Sequence, residues 1–134
     1  MKRIVMVEDD PTYADLVRQF HKEVPKLLGG EAELITIQTI SMLRHLLAVN
    51  GVQLIILDLT LPDSMQKDTI ELIGTERKKW PPIYVISGDE RIEIREKCLA
   101  MGAVGFALKQ HVISSPGFFF ACVYNEYIKS LEHG

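Results

Sequence analysis

The run Val52-Gln53-Leu54-Ile55-Ile56-Leu57 is apolar at five of its six positions, and Asp58 follows it at once. Asn50-Gly51 stands before it, and Leu61-Pro62-Asp63 stands shortly after. A short apolar run between turn signals predicts a strand buried on both faces. Strands of that kind belong to parallel sheets covered by helices on each side. In such open sheets the ligand crevice lies beyond the carboxyl ends of the strands. Asp58 is therefore expected at the mouth of a crevice, on a rigid central element. An acid that merely ends a strand is the competing reading of this stretch alone.

The rest of the chain repeats the pattern. Ile4-Val5-Met6-Val7 predicts a first buried strand, followed directly by Glu8-Asp9-Asp10. Asp10-Pro11 opens a helix, with Asp10 as N-cap and Pro11 in the first helical position. Tyr13, Leu16, Val17, Phe20 and Val24 recur at helical spacing, and Pro25 and Gly29-Gly30 end the helix. Ala32 to Ile37 reads as a second strand. Ser41 to Val49 reads as a helix with Leu43, Leu46, Leu47 and Val49 inward. After the strand ending at Asp58, residues 61–67 read as a loop. Asp68 to Lys79 reads as a helix with Ile70, Leu72 and Ile73 inward, stopped by Trp80-Pro81-Pro82. Ile83 to Ile86 is the fourth strand, before Ser87-Gly88-Asp89. Glu90 to Met101 is a charged helix stopped by Gly102. Val104 to Leu108 is the fifth strand, before Lys109-Gln110. Ser115-Pro116 opens a last helix that runs to about Leu131. Five β-α units in succession predict a doubly wound parallel sheet.

At 134 residues the chain suits one domain over residues 1–134, with a core that needs no disulfide or metal staple. No output domain is expected. A net charge of −3 argues against direct nucleic-acid binding. The two cysteines, Cys98 and Cys122, lie in helical patterns and are expected as thiols in a reducing compartment. No apolar run reaches transmembrane length, so no membrane partner is expected. The start of the chain is too short for a secretory signal, and the expected localisation is cytoplasmic.

What carries chemistry is the convergence of strand ends. Glu8 and Asp9 follow the first strand, Asp58 the third, Ser87 the fourth and Lys109 the fifth. In a parallel sheet these share one edge. A carboxylate can attack phosphorus to give an acyl phosphate. Close carboxylates repel one another unless a cation neutralises them. Magnesium takes such oxygen ligands and retains waters. The charge that spreads over a transferring phosphoryl group is stabilised by magnesium and a lysine ammonium.

The motifs Val7-Glu8-Asp9-Asp10-Pro11, Leu57-Asp58-Leu59 with Leu61-Pro62-Asp63, Ile86-Ser87-Gly88 and Gly105-Phe106-Ala107-Leu108-Lys109 resemble those of the response regulator receiver domain of two-component signalling. The resemblance spans nearly the whole chain and has the character of the single-domain, chemotaxis-regulator-like form. It implies a flavodoxin-like fold of strand order 2-1-3-4-5. It implies Asp58 as phosphoacceptor, with Glu8, Asp9, Asp58 and the backbone carbonyl of Thr60 holding Mg2+, or Mn2+ in its place. It implies that Ser87 hydrogen-bonds the phosphoryl group, that Lys109 pairs with it and that Phe106 changes rotamer on activation. The implied donor is a histidine kinase or a histidine phosphotransfer protein. The implied output is a downstream protein or a homodimer bound through the fourth helix, fifth strand and last helix. Such a protein is no enzyme in the ordinary sense, although receivers assist their own phosphorylation and dephosphorylation. Asp10 falls beside the metal pair, and capping accounts for it.

Three positions depart from the family pattern. Gln110 stands where proline after a cis bond is usual, Gln66 where a glycine is common, and Ser87 where threonine is frequent. The alternative reading is a receiver-like scaffold that binds partners without phosphorylation. A haloacid-dehalogenase-type phosphatase fits less well. It would carry its nucleophile on the first strand and a second Asp two residues on, where this chain has Thr60. The acidic loop after the first strand also disfavours a flavodoxin-like cofactor carrier, because it would repel a phosphate.

Overall fold

Hydrophobic runs with no room for a polar face become the centre of the sheet. In the computed structural model, which describes residues 2–23, 32–49 and 51–133, Ile4 to Val7 and Leu54 to Leu57 are wholly inaccessible to solvent. They lie in β1 (Arg3–Val7) and β3 (Val52–Asp58). The other strands are β2 (Glu33–Ile37), β4 (Ile83–Ser87) and β5 (Gly105–Leu108). All pair in parallel, in the order β2-β1-β3-β4-β5. The fold is the doubly wound α/β arrangement expected from the sequence.

Alternation along the strands feeds two cores. Ile4, Met6, Leu54, Ile56 and Ile86 face a layer made by α1 (Pro11–Glu23) and α6 (Pro116–His133). Val5, Val7, Ile55, Leu57 and Val85 face α2 (Ile40–Leu47), α3 (Gln66–Glu76) and α4 (Ile92–Met101). No helix among the described residues is long and apolar enough to cross a membrane.

The capping signals act as written in several places. Asp10 Oδ1 accepts the Thr12 and Tyr13 backbone N–H groups at 3.0 and 3.4 Å. Gly102 closes α4 at φ 116°, a conformation that glycine adopts without steric cost. The start of α2 is capped twice. Thr39 Oγ1 accepts from Met42 N, and the carboxylate of Asp63, from the loop after β3, accepts from Ile40 N and Ser41 N at 2.9 and 3.0 Å.

Other expectations need correction. A further helix, α5 (Lys109–Ser114), stands where no element was expected between the fifth strand and the last helix. No cis peptide bond occurs among the described residues, so the chain runs from β5 through a trans Lys109-Gln110 bond directly into that helix. The α3 helix begins two residues earlier than expected, at Gln66. Val49 is exposed rather than inward, because α2 ends at Leu47. In α1 the buried positions are Tyr13, Ala14, Val17 and His21, while Leu16 and Phe20 from the expected stripe are half-buried. As expected, both cysteines are free, Cys98 buried and Cys122 half-buried. Val24, Pro25, Gly29, Gly30 and Asn50 lie outside the described residues.

Candidate phosphoacceptor and metal site

Strand register lines up the polar ends. Val7 pairs with Leu57, Asp58 with Ile86, and Ser87 with Leu108. Glu8, Asp58, Ser87 and Lys109 therefore stand at the same carboxyl edge. Val7 and Leu57 face the α2–α4 layer. By alternation Glu8 and Asp58 turn toward the opposite side, which is the side from which the Lys109 ammonium meets them. Glu8, Asp9, Asp10, Asp58, Thr60, Gln66, Ser87 and Lys109 line one cleft of about 440 Å³.

Three carboxylates converge in that cleft. Glu8, Asp9 and Asp58 each offer an oxygen, and these lie within 4.8 Å of one another. The Glu8 and Asp58 side chains are almost fully buried, and Asp9 is exposed. Lys109 Nζ sits 2.6 Å from Glu8 Oε1 and 2.7 Å from Asp58 Oδ2. The ammonium is also held 5.1 Å over the ring of Tyr13, whose hydroxyl donates to the Lys109 carbonyl at 3.0 Å.

Burial pushes the Glu8 carboxyl above its ordinary range, and repulsion from Asp58 adds to the rise. Lys109 and the Asp10 backbone N–H oppose it, the latter donating to Glu8 Oε2 at 3.1 Å. Burial alone would lower Lys109, but hydrogen bonds and attraction from Asp58 and Glu8 outweigh it and hold the ammonium above its usual value. The Thr60 backbone N–H donates to Asp58 Oδ1 at 3.3 Å.

The donor set fits a hard divalent cation. Three carboxylates supply oxygen only, and one lysine ammonium shared by Glu8 and Asp58 leaves their negative charge in excess. Unneutralised negative charge at this density is costly. Thr60, expected as a carbonyl ligand, lines the same cleft.

All the expected site residues except Phe106 gather at this edge. Phe106 pairs with Val85, two strand positions before Ser87, and is half-buried against the α4 side of the sheet. The sequence reading missed Tyr13 as a partner of Lys109. It also gave Asp89 and Arg91 no part in the site. Asp89 lines the cleft, and its carboxylate accepts from Arg91 Nη2 at 2.7 Å and from Gln66 Nε2 at 3.1 Å. Only their nearness to Ser87 in the sequence hinted at this.

Residues 4–114 match the family model described as the response regulator receiver domain. No curated protein matches the chain. Solved structures do. A CheY-like response regulator receiver domain protein from Methanospirillum hungatei JF-1 is 20% identical, with a TM-score of 0.77 over 100% of this chain and 99% of that one. The BeF3-activated N-terminal receiver domain of RstA from Klebsiella pneumoniae is 22% identical, with a TM-score of 0.76 over 94% and 98% of the two chains. The receiver domain of the Francisella response regulator 1452 is 17% identical, with a TM-score of 0.76 over 97% and 99%.

Proposed function

The chain belongs to the response regulator receiver domain family of two-component signalling, and on that premise we propose that it is a phosphoacceptor switch whose acceptor is Asp58. The observation that carries the reading is the meeting of Glu8, Asp9 and Asp58 within 4.8 Å, beside the Lys109 ammonium. An Asp58 carboxylate oxygen attacks phosphorus, and the donor's leaving group departs on the far side. Lys109, already 2.7 Å from Asp58, stays to pair with the added phosphoryl oxygens. Ser87, buried at the neighbouring strand end, donates its hydroxyl proton to them. Glu8, Asp9, Asp58 and the Thr60 carbonyl would hold Mg2+, or Mn2+, which supplies positive charge to the transferring group when bound. The donor is a histidine kinase or a histidine phosphotransfer protein.

The switch follows from Ser87. Its movement toward the phosphoryl group shifts the Ser87-Gly88 loop and opens space for Phe106 to turn inward. Two packings then exchange populations, biased by contacts that only the phosphorylated form makes. The output face is the groove between α4, β5 and α6, about 950 Å³ in volume, lined by Ile92, Leu99, Phe106 and Phe118. Ile92 is 64% exposed and Phe118 75% exposed, large apolar groups whose burial favours a protein partner or a second copy. Phe118→Ala should weaken that association about tenfold while leaving the thermal midpoint nearly unchanged; an unchanged association constant removes this face from the proposal.

The direct test is to incubate the chain with Mg2+ and acetyl phosphate and to weigh it. The expected result is a gain of one phosphoryl group, abolished in Asp58→Asn. Beryllium fluoride offers a second probe, since the RstA receiver domain is described as BeF3-activated. Binding by the wild type and not by Asp58→Asn is expected. No gain of mass at any Mg2+ concentration would favour the constitutive scaffold instead.

A further inference from the structure

We infer that Gln66 is a positioning residue for phosphoryl transfer, acting on Ser87 through Asp89. The inference rests on the reading of Asp58 as acceptor. Gln66 is the first residue of α3, and its side-chain Nε2 reaches across the cleft to donate to Asp89 Oδ2 at 3.1 Å. Arg91 grips the same carboxylate from the other side. Its Nη2 donates to Oδ2 at 2.7 Å, its Nε to Oδ1 at 3.0 Å, and its backbone N–H to Oδ1 at 3.0 Å. The Asp89 backbone N–H in turn donates to Ser87 Oγ at 3.0 Å. One carboxylate thus ties the start of α3 and the N-cap of α4 to the Ser87 hydroxyl.

That chain sets which way Ser87 can act. A serine hydroxyl has one proton to give and two lone pairs to accept with. Asp89 N–H occupies a lone pair, which fixes Oγ and leaves the proton free for an oxygen in the cleft. Gln66, Ser87 and Asp58 line that same cleft. As Asp58 takes the phosphoryl group, its oxygen bonds to phosphorus and the old bond breaks, its electron pair leaving with the departing group. Negative charge then builds on the equatorial oxygens. A hydroxyl whose proton is already free to face that charge as it develops stabilises it with little rotational reorganisation, and the loop movement follows once the phosphoryl group is in place. A glycine at position 66 has no amide to send across the cleft, so the departure from the family pattern supplies this contact.

The test is the rate of phosphoryl gain by the whole chain in Mg2+, measured over a range of acetyl phosphate concentrations. Gln66→Ala should lower the limiting rate about three- to tenfold and leave the half-saturating concentration little changed. Gln66→Glu keeps the shape, loses the donor and sets a second carboxylate against Asp89; it should lose at least as much. In the Asp89→Ala background neither substitution should lower the rate further. Independently of phosphorylation, the Gln66 side-chain amide protons should exchange faster with solvent in Asp89→Ala than in the wild type. Unchanged rates in both Gln66 variants, full additivity with Asp89→Ala, or unchanged amide exchange overturns the inference. A wild type that gains a phosphoryl group while its Gln66 variants match it overturns this inference alone. A wild type that gains none overturns the acceptor reading with it.

Discussion

Lys109 shows how one side chain settles a site. Two nearly buried carboxylates, Glu8 and Asp58, share its ammonium at 2.6 and 2.7 Å. Removing one partner from a buried ion group leaves the others uncompensated, which costs more than the pair contributes. Lys109→Ala should lower the unfolding free energy by about 2 kcal/mol in metal-free buffer, below the ~3–5 kcal/mol of a fully enclosed pair because the lysine is partly exposed. Millimolar Mg2+ should restore more of that loss in the variant than it adds to the wild type, since the cation replaces the missing positive charge. Chemical denaturation with and without Mg2+ measures both. Equal Mg2+ increments in the two proteins would mean that lysine and cation do not share these oxygens. The gathering of these side chains was legible in the sequence because each ends or directly follows a strand, and strand register turns that into proximity. Tyr13 was not legible. Its ring meets Lys109 only because α1 and α5 pack on the same side of the sheet, a relation that helical spacing within α1 does not contain.

Elements show where pattern reading stops. The sequence placed all five strands within a residue or two, because apolar runs bounded by breakers leave little freedom. It missed α5 altogether. Six residues, Lys109–Ser114, carry too short a pattern to separate a helix from a loop, and only Val112 among them is buried. It also gave the end of α2 two residues too many, since exposed Val49 looks like a core position at helical spacing. Gly105 is a different case. It belongs to the motif that ends at Lys109, and its physical reason appears only in three dimensions. The Tyr84 ring lies against Gly105 so closely that an added Cβ would overlap it. Tyr84 in turn packs edge-on to Phe119 of α6, with ring centroids 5.7 Å apart. Gly105→Ala should therefore destabilise by ~1–3 kcal/mol, the usual cost of overpacking a core. Combining it with Tyr84→Leu should cost less than the two single changes added together, because the leucine frees the contested space. Strict additivity in denaturant midpoints would show that the ring is not what excludes a side chain at this position.

At the scale of the whole molecule, the sheet separates two unlike cores. The α2–α4 side is mainly aliphatic, while the α1–α6 side gathers Tyr13, Tyr84, Phe119, Phe120, Tyr124 and Tyr127. The run Phe118-Phe119-Phe120 divides accordingly. Phe119 and Phe120 are core, and Phe118 is left on the surface. Buried in the aromatic side is His21, whose Nε2 lies 2.7 Å from the Tyr124 hydroxyl, with the Tyr124 and Phe120 rings against it. Burial lowers its pKa below the ordinary 6.5. The unfolded chain therefore binds this proton at a pH where the folded chain does not. Stability from this group is full above about pH 6.5 and falls as pH drops through the window down to the lowered folded value. Glu8 runs the other way, because its raised pKa makes the folded state bind a proton more readily than the unfolded one. The contribution of His21 is thus isolated by difference. Denaturant midpoints at about pH 5 and about pH 7.5 should differ more in the wild type than in His21→Leu, with the wild type losing more stability on acidification. The leucine supplies apolar volume without a titrating ring, so the comparison keeps the core filled. A variant whose acid loss equals that of the wild type would mean that solvent reaches His21 freely in the folded state, and that the aromatic core opens at the α1–α6 seam.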